Sequence, residues 1–496
     1  MTLYLGVDLG TQSVKVVVFD AERGSVIARG ASPVEMLPPP HLRADCTDPE
    51  KAATRVGVAE QDPADWWRAF ETAMDQALEP LAEARRQIRA IGVSGQQHGM
   101  VTLDADLKII RPAKLWCDTE ASAEADELTE KFQRATPAGF TAPKVLWLKR
   151  NEPENFKRLR QVLLPHDWLN FLLTGLLSTD HGDASGSGYY LPKERKYDTE
   201  GAKYIDPALP AILPNIQEAQ SWIGPVREAI AQRFGLNPSV AVAPGSGDNM
   251  MSALGAGAVT DGTVVVSLGT SGTLFGHSSK PIIDPAGDIA AFCDATGGWL
   301  PLVCTQNCTT VVDDVRKQME QTHASLTAAA QQVNAGCDGL LYLPYLTGER
   351  TPNWPHACGV LHGIRGGHLN PGTLYRAALE GASFALAGGL QALRRHDMAI
   401  DQIRLVGGGA GNSLWRQILA DMFQLPLSTS AEAESAALGG AFQACWIDSG
   451  RHPSELYAAI AERADITQTD PNPDHAAVYA DAFDRYQGVG VALFRN

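Results

Sequence analysis

Basic residues are scarce in this chain. Its 496 residues carry 41 Lys and Arg against 57 Asp and Glu, a formal charge of −16. That balance argues against nucleic acid or an anionic membrane surface as a main partner, because both are met through cationic patches. It leaves room for a small anionic ligand, since backbone N–H groups and a divalent cation neutralise phosphate locally. Cysteine is sparse too. The eight are scattered at 46, 117, 293, 304, 308, 337, 358 and 445, and none makes a C-x-x-C pair. This disfavours zinc and fits reduced thiols in a cytoplasmic protein. No apolar run approaches a membrane span, and Met1 leads into a strand pattern without a basic leader. No G-x-x-x-x-G-K-[ST] occurs either, so a P-loop does not account for any nucleotide binding.

What is present points to two halves. The chain is too long for one core. Leu3 to Asp20 reads as two β-rich runs around Leu9-Gly10-Thr11. Such a hairpin turn exposes backbone N–H groups, and the Thr11 and Ser13 hydroxyls add donors, making an anion cradle. Asp8 at the strand end could face a phosphate-bound Mg²⁺. Thr263 to Phe275 repeats the pattern, with Leu268-Gly269-Thr270 matching Leu9-Gly10-Thr11. Ile403 to Gly407 similarly echoes Ile88 to Gly92. Two echoes in the same order suggest two similarly built halves whose hairpins face one another across a cleft.

Other stretches supply candidate chemistry. Asp62-Pro63 starts a helix with a core face of Trp66, Phe70, Met74, Ala77 and Leu81. Pro38 to Gln61 before it reads as a long loop. Gln97 and His98, between Gly95 and Gly99, offer donors and acceptors for a polyhydroxy ligand, or form an ordinary polar loop. Trp116 and Asp118 could supply an aromatic face and a carboxylate for a sugar. Thr179 to Gly188 reads as a glycine-rich loop without an assigned role. Asp248 follows a strand and opens a small-residue helix, where it suits an N-cap or a base accepting an alcohol proton. Gly407-Gly408-Gly409-Ala410-Gly411-Asn412 ends a strand, and its glycines admit close ligand approach. Glu380 lies inside a helix from Pro371 to about Arg395 and reads as a local salt-bridge member. Small residues in Ala431 to Ile447 imply a tightly packed helix.

Together these stretches resemble the FGGY carbohydrate kinases of the actin-like ATPase superfamily, over nearly the whole chain. Gly6 to Thr11 is similar to the first phosphate motif, Leu268 to Gly272 to the second, and Gly407 to Ala410 to the adenosine motif. Glu60 to Pro63 with Trp66 and Trp67, Gly139 to Lys144, and Leu343 to Leu346 with Gly348 to Pro352 resemble members that act on xylulose. Departures are Cys117 for an asparagine, Glu120 for an arginine, Gln97 for a methionine, Ser246 for a glycine, and Thr373 where a polar amide, acid or histidine is usual.

The resemblance implies an α/β fold of two actin-like ATPase (ribonuclease H-like) domains flanking a central cleft. The expected division is 1–244, sugar-binding, and 245–496, ATP-binding, with the last helix packing back on the first domain. The implied reaction is ATP-dependent phosphorylation of D-xylulose to D-xylulose 5-phosphate. Other ketoses or polyols (ribulose, fuculose, glycerol) are alternatives, and a non-catalytic actin-like sugar sensor or chaperone-type ATPase is a remote one. Asp248 would be the general base, and Asp8 would orient Mg²⁺ through water. Gln97, His98, Trp116, Asp118 and Asn249 would bind the sugar. Gly10, Thr11, Gln12, Ser13, Lys15, Gly269, Thr270, Ser271, Gly408, Gly409, Ala410 and Asn412 would hold ATP. Sugar and nucleotide are the expected partners, with a homodimer as the common assembly. Asp248, with an ordinary pKa of roughly 3.9, would be a weak base, sufficient because proton transfer comes late.

Overall fold

The structure, a computed structural model, describes residues 1–44, 49–429, 434–462 and 466–495. Cys46 and the expected start of a helix at Ala431 lie outside these residues. The chain divides into two units. The first comprises Met1–Val259, Ala291–Leu300 and Glu434–Arg463; the second comprises Thr260–Ala290, Pro301–Ala433 and Ala464–Asn496. The expected boundary at 244 therefore falls inside the first unit, and Asp248 belongs with Asp8.

The first unit is built on the hairpin. Leu3–Leu9 pairs antiparallel with Ser13–Asp20, which pairs with Ser25–Pro33. On its other side Leu3–Leu9 runs parallel to Ile88–Gly95. Its side chains are almost all buried, as expected of β-rich runs covered on both faces. One cover is the helix Pro63–Leu78, capped by Asp62 and burying Trp66, Phe70, Met74 and Ala77. The other is Ser435–Ser449, the tight helix foreseen from its small residues. A Cβ on Gly6 would lie 1.7 Å from the Ala437 carbonyl oxygen, and one on Gly92 would lie 2.0 Å from that of Gly440. Glycines there let helix and sheet backbones touch.

Thus the late segment that returns to the first unit is Ser435–Ser449. The last helix, Ala476–Phe494, packs on Ser413–Phe423 and Leu341–Pro344 within the second unit. The described residues of Pro38 to Gln61 are not all loop: they include a 3₁₀ turn at Pro40–Leu42, a helix at Pro49–Ala53 and a short strand at Glu60–Gln61.

The second unit repeats the frame. Gly262–Leu268 pairs antiparallel with Gly272–Phe275 and parallel with Ile400–Val406. The parallel partners correspond in order, as the echo suggests, but in a shifted register. Asp8 stands opposite Ser94, and Ser267 opposite Val406. Gly407 therefore occupies the place of Gly95, not of Gly92. Glu380 is buried in the helix Pro371–Arg395, where Arg376 donates to it at 2.8 Å and Tyr479 at 2.9 Å. Among the described residues, no helix is long and apolar enough to cross a membrane.

Candidate functional site

Three neighbouring strands of the first unit end together. Asp8, Ser94 and Ser246 stand in one row, because Leu3–Leu9 and Ser246–Gly247 both run parallel to Ile88–Gly95. Carboxyl ends of parallel strands are where open α/β sheets place their ligands. Ser94 Oγ donates to Asp8 Oδ1 at 2.9 Å. The middle strand runs on into Gln97 and His98, and the third into the helix Asp248–Gly255. Gly247 is the N-cap residue and Asp248 the first helical one, so Asp248 is not the cap.

Asn249 Nδ2 ties the group together, donating to Gln97 Oε1 at 2.8 Å and to Asp248 Oδ1 at 3.1 Å. Gln97 Nε2 is buried without a partner among the described residues, a donor that a ligand hydroxyl would satisfy. Burial raises the pKa of Asp8. Burial, then the charges of Asp8 and Asp183, raise that of Asp248 to about 8. Asp248 is thus a far stronger base than an ordinary carboxylate. A carboxylate whose charge raises the proton affinity of its neighbour, as Asp8 does for Asp248, is also a setting that favours a cation.

His98 is fixed from several sides. Its backbone is left-handed, with φ +64°. Its carbonyl accepts hydrogen bonds from Lys144 Nζ at 2.9 Å and Thr141 Oγ1 at 3.2 Å. Its ring centroid lies 4.7 Å from that of Phe140 and 5.8 Å from that of Phe292. A Cβ on Gly186 would lie 2.0 Å from the imidazole. Thr179 to Gly188 is therefore structural wall as well as loop; it begins within the strand Ser178–Asp180 and contains the short helix His181–Ala184.

Behind this wall is a buried cluster that sequence reading missed. His166 Nδ1 lies 2.6 Å from Asp183 Oδ2, and Nε2 3.2 Å from Asp167 Oδ1. Burial opposes charge on His166, but Asp167, Asp183 and Asp180 lift its pKa to about 9. Ser246 donates to Asp180 at 2.7 Å, anchoring the strand that leads to Asp248. Only Pro165-His166-Asp167 hinted at it in the sequence; the partners are distant in the chain.

Asp118 does not fit a sugar contact. It is fully buried, and its carboxylate accepts Lys114 Nζ at 3.0 Å, Ala59 N–H at 2.8 Å and Glu120 N–H at 3.2 Å. Glu120, standing for the family's arginine, takes Arg55 and Lys114, both at 2.5 Å. Glu60 takes Arg111 at 2.5 Å and Arg43 at 2.7 Å. Burial works against its ionisation, but Arg111, Lys114 and Arg43 hold its pKa at about 2. Glu60, Asp118 and Glu120 lie close enough to share an ion, yet their cationic side chains already neutralise them. Trp116 is 38% exposed, and its indole N–H donates to Thr11 Oγ1 at 3.0 Å.

The first turn is held at Thr11. Its hydroxyl donates to Gln96 Oε1 at 3.1 Å, and its carbonyl accepts Gln61 Nε2 at 2.7 Å. Gln12 is exposed and Ser13 begins the second strand. Lys15 pairs with Glu434 at 2.6 Å.

In the second unit, a groove of about 710 Å³ is lined by Gly269, Thr270, Gly408, Gly409 and Asn412, with Thr309, Thr327, Gln331 and Tyr375 among the others. Ser271 and Ala410 are not in its lining. The turn at Gly269 is pinned to the start of the helix Thr309–Gln318: Thr309 N–H and Oγ1 both donate to the Gly269 carbonyl, at 3.0 and 2.7 Å. Asn412 caps the helix Ser413–Phe423 and donates to Thr327 at 3.0 Å. Gly407 has φ +85°, and a Cβ there would lie 2.8 Å from the Leu268 carbonyl oxygen. Hydroxyls, glycines and a helix start suit a nucleotide's phosphates and ribose. The residues from helices Thr309–Gln318, His323–Ala330 and Pro371–Arg395 were not foreseen, because periodicity locates a helix without saying which polar residue lines a groove.

Comparison with known proteins places this geometry. Residues 3–255 match the N-terminal domain, and residues 264–447 the C-terminal domain, of the FGGY family of carbohydrate kinases. The chain is 36% identical to a xylulose kinase of Haemophilus influenzae over 98% of both chains. It is 39% identical to one of Streptomyces coelicolor, covering 93% of this chain and 90% of that one. The solved xylulose kinase from Bifidobacterium adolescentis superposes with a TM-score of 0.80 at 30% identity, covering 98% of this chain and 99% of that one. A two-domain fold with mixed sheets, a sugar-kinase frame and a nucleotide-sized groove converge on one conclusion: the chain belongs to the FGGY family of carbohydrate kinases.

Proposed function

We propose that the chain phosphorylates D-xylulose with ATP, giving D-xylulose 5-phosphate and ADP. One observation carries the mechanism: Asp8 lies at the end of one strand, and Gln97 with His98 and Asp248 with Asn249 follow the ends of the next two strands of the same sheet. The choice of ketose rests on the similar kinases, which are xylulose kinases along nearly their whole length.

Phosphoryl transfer depends on positioning and charge neutralisation more than on covalent chemistry. Gln97, His98 and Asn249 bind the sugar hydroxyls, with the orphan Gln97 amide taking one of them. Asp248 accepts the proton of the attacking primary hydroxyl as the O–P bond forms. The groove of the second unit takes the nucleotide, with Gly269 and Thr270 at its phosphates and Gly408, Gly409 and Asn412 at its nucleoside. Asp8 and Asp248, each with a raised proton affinity, fit a divalent cation, and Asp8 would hold Mg²⁺ through water. When bound, the cation supplies neutralisation of phosphate charge. A homodimer is the assembly we propose, by family resemblance.

A coupled ADP-release assay over xylulose, ribulose, fuculose and glycerol, with and without Mg²⁺, tests this. Xylulose should have the highest kcat/KM, and turnover should vanish without a divalent ion. A tenfold preference for another substrate would overturn the assigned sugar.

A further inference from the structure

Lys144 has an unusual setting. It is fully buried, yet no carboxylate pairs with it among the described residues. Its Nζ instead donates to two backbone carbonyls, His98 at 2.9 Å and Gly139 at 2.7 Å. Burial lowers its pKa to about 7, partly offset by Asp118. Neutral or charged, the nitrogen has hydrogens for both carbonyls. A buried polar group of this kind is retained at a cost, and its bonds must serve the structure around it.

What they serve is the His98 peptide. A left-handed backbone is disfavoured for a residue with a Cβ and persists where surroundings enforce it. Here Lys144 and Thr141 grip the carbonyl from one helix, Thr141–Asn151. The Asp183 carboxylate lies toward the His98 N–H on the other side. Releasing the carbonyl would let the peptide rotate toward ordinary φ and swing the imidazole away from Phe140 and Phe292.

We propose that Lys144 is a positioning residue for sugar recognition: it holds His98 in the left-handed conformation that presents the imidazole to the sugar. This rests on His98 being a sugar contact, as in the proposed function. Gly139 is held by the same nitrogen, so the Gly139–Lys144 motif closes on itself and on the sugar loop in one step.

The test compares Lys144→Met with wild type, using the ketose that wild type turns over best. The KM for that ketose should rise about tenfold or more, as small misplacements of a binding group do, while the KM for ATP stays within about twofold. In a double mutant with His98→Ala, Lys144→Met should add nothing further to the ketose KM. A crystal structure of Lys144→Met should show His98 outside the left-handed region. Thr141→Val, which removes the second donor to the same carbonyl, should shift the ketose KM the same way by less, and carries the test if Lys144→Met does not fold. Additive losses in the double mutant, or His98 unmoved in the crystal, overturn the proposal. If wild type phosphorylates no ketose, the functional reading fails, and the His98 conformation still decides the role of Lys144.

Discussion

The two hairpins share a frame and differ in what they carry. Each has a first strand with an antiparallel partner and a parallel neighbour. In the first unit the strand end holds Asp8 beside Ser94; the matching row of the second holds Ser267 beside Val406. The first turn has four residues between the paired Leu9 and Val14, the second three between Leu268 and Gly272. The first is tied to the Gln61–Gln96–Trp116 side chains, the second to a helix start. One copy of the frame thus gathers carboxylates at its strand ends, and the other glycines and hydroxyls. Proton transfer and cation binding need the former; admitting a polyanion needs the latter.

The largest expected break is at Asp248, which the second frame does not match. Asp248→Ala should lower kcat for sugar phosphorylation by at least about 10²-fold, the usual range for losing a general base. Near-normal turnover would show that another group takes the proton. The same carboxylate sets the pH dependence. Its pKa is raised to about 8, so the base is present above that pH and lost by protonation below it. The kcat/KM for the sugar should therefore rise with pH along a limb near 8. A limb near 4 would mean that neither burial nor the neighbouring charges act on it in the working enzyme.

A swap across the frames comes next in size. Asp8→Ser gives the first hairpin the residue of the second. We expect kcat to fall about 10-fold to 100-fold, as for loss of one charge-placing group, and the pH limb of kcat/KM to move lower, because Asp8 no longer raises Asp248. Ser267→Asp makes the reverse change, setting a carboxylate beside the turn that lines the nucleotide groove. Like-charge repulsion of about 1.4 kcal/mol would raise the KM for ATP roughly tenfold, with little change in the KM for the sugar. Equal effects of the two substitutions on both substrates would mean that the hairpins are not specialised.

How much of this was legible follows from how local each signal is. The hairpins, the helix at Asp62 and the glycine run at Gly407 are written in adjacent residues, and the structure has them. The shifted register between Gly95 and Gly407 is not, since it depends on pairing between strands far apart in sequence. Asp118 looked like a sugar ligand because Trp-x-Asp is a local pattern. Its true partner, Lys114, lies one helical turn's spacing before it in a segment that is not a helix, and Glu60 and Arg55 join from a segment read as loop. The His166–Asp183 pair and the Lys144 grip on His98 were hidden for the same reason. Buried polar networks leave no periodicity; they show only once distant segments are packed together.

The smallest effect is expected at Lys15, and it separates position from contact. The strand register puts Lys15 opposite Asp8, next to the phosphate turn, where resemblance assigns it to ATP. Yet its ammonium lies 2.6 Å from Glu434, and both side chains are only partly exposed, at 35% and 28%. A pair of this kind is worth roughly 0–1 kcal/mol, and its cation is already neutralised. Lys15→Met should thus change the KM for ATP by less than about fivefold, the kinetic size of that same energy. A tenfold rise would show that the ammonium leaves Glu434 for a phosphate when ATP binds. In that case the first hairpin, like the second, grips the nucleotide directly, and the contrast between them narrows to Asp8 alone.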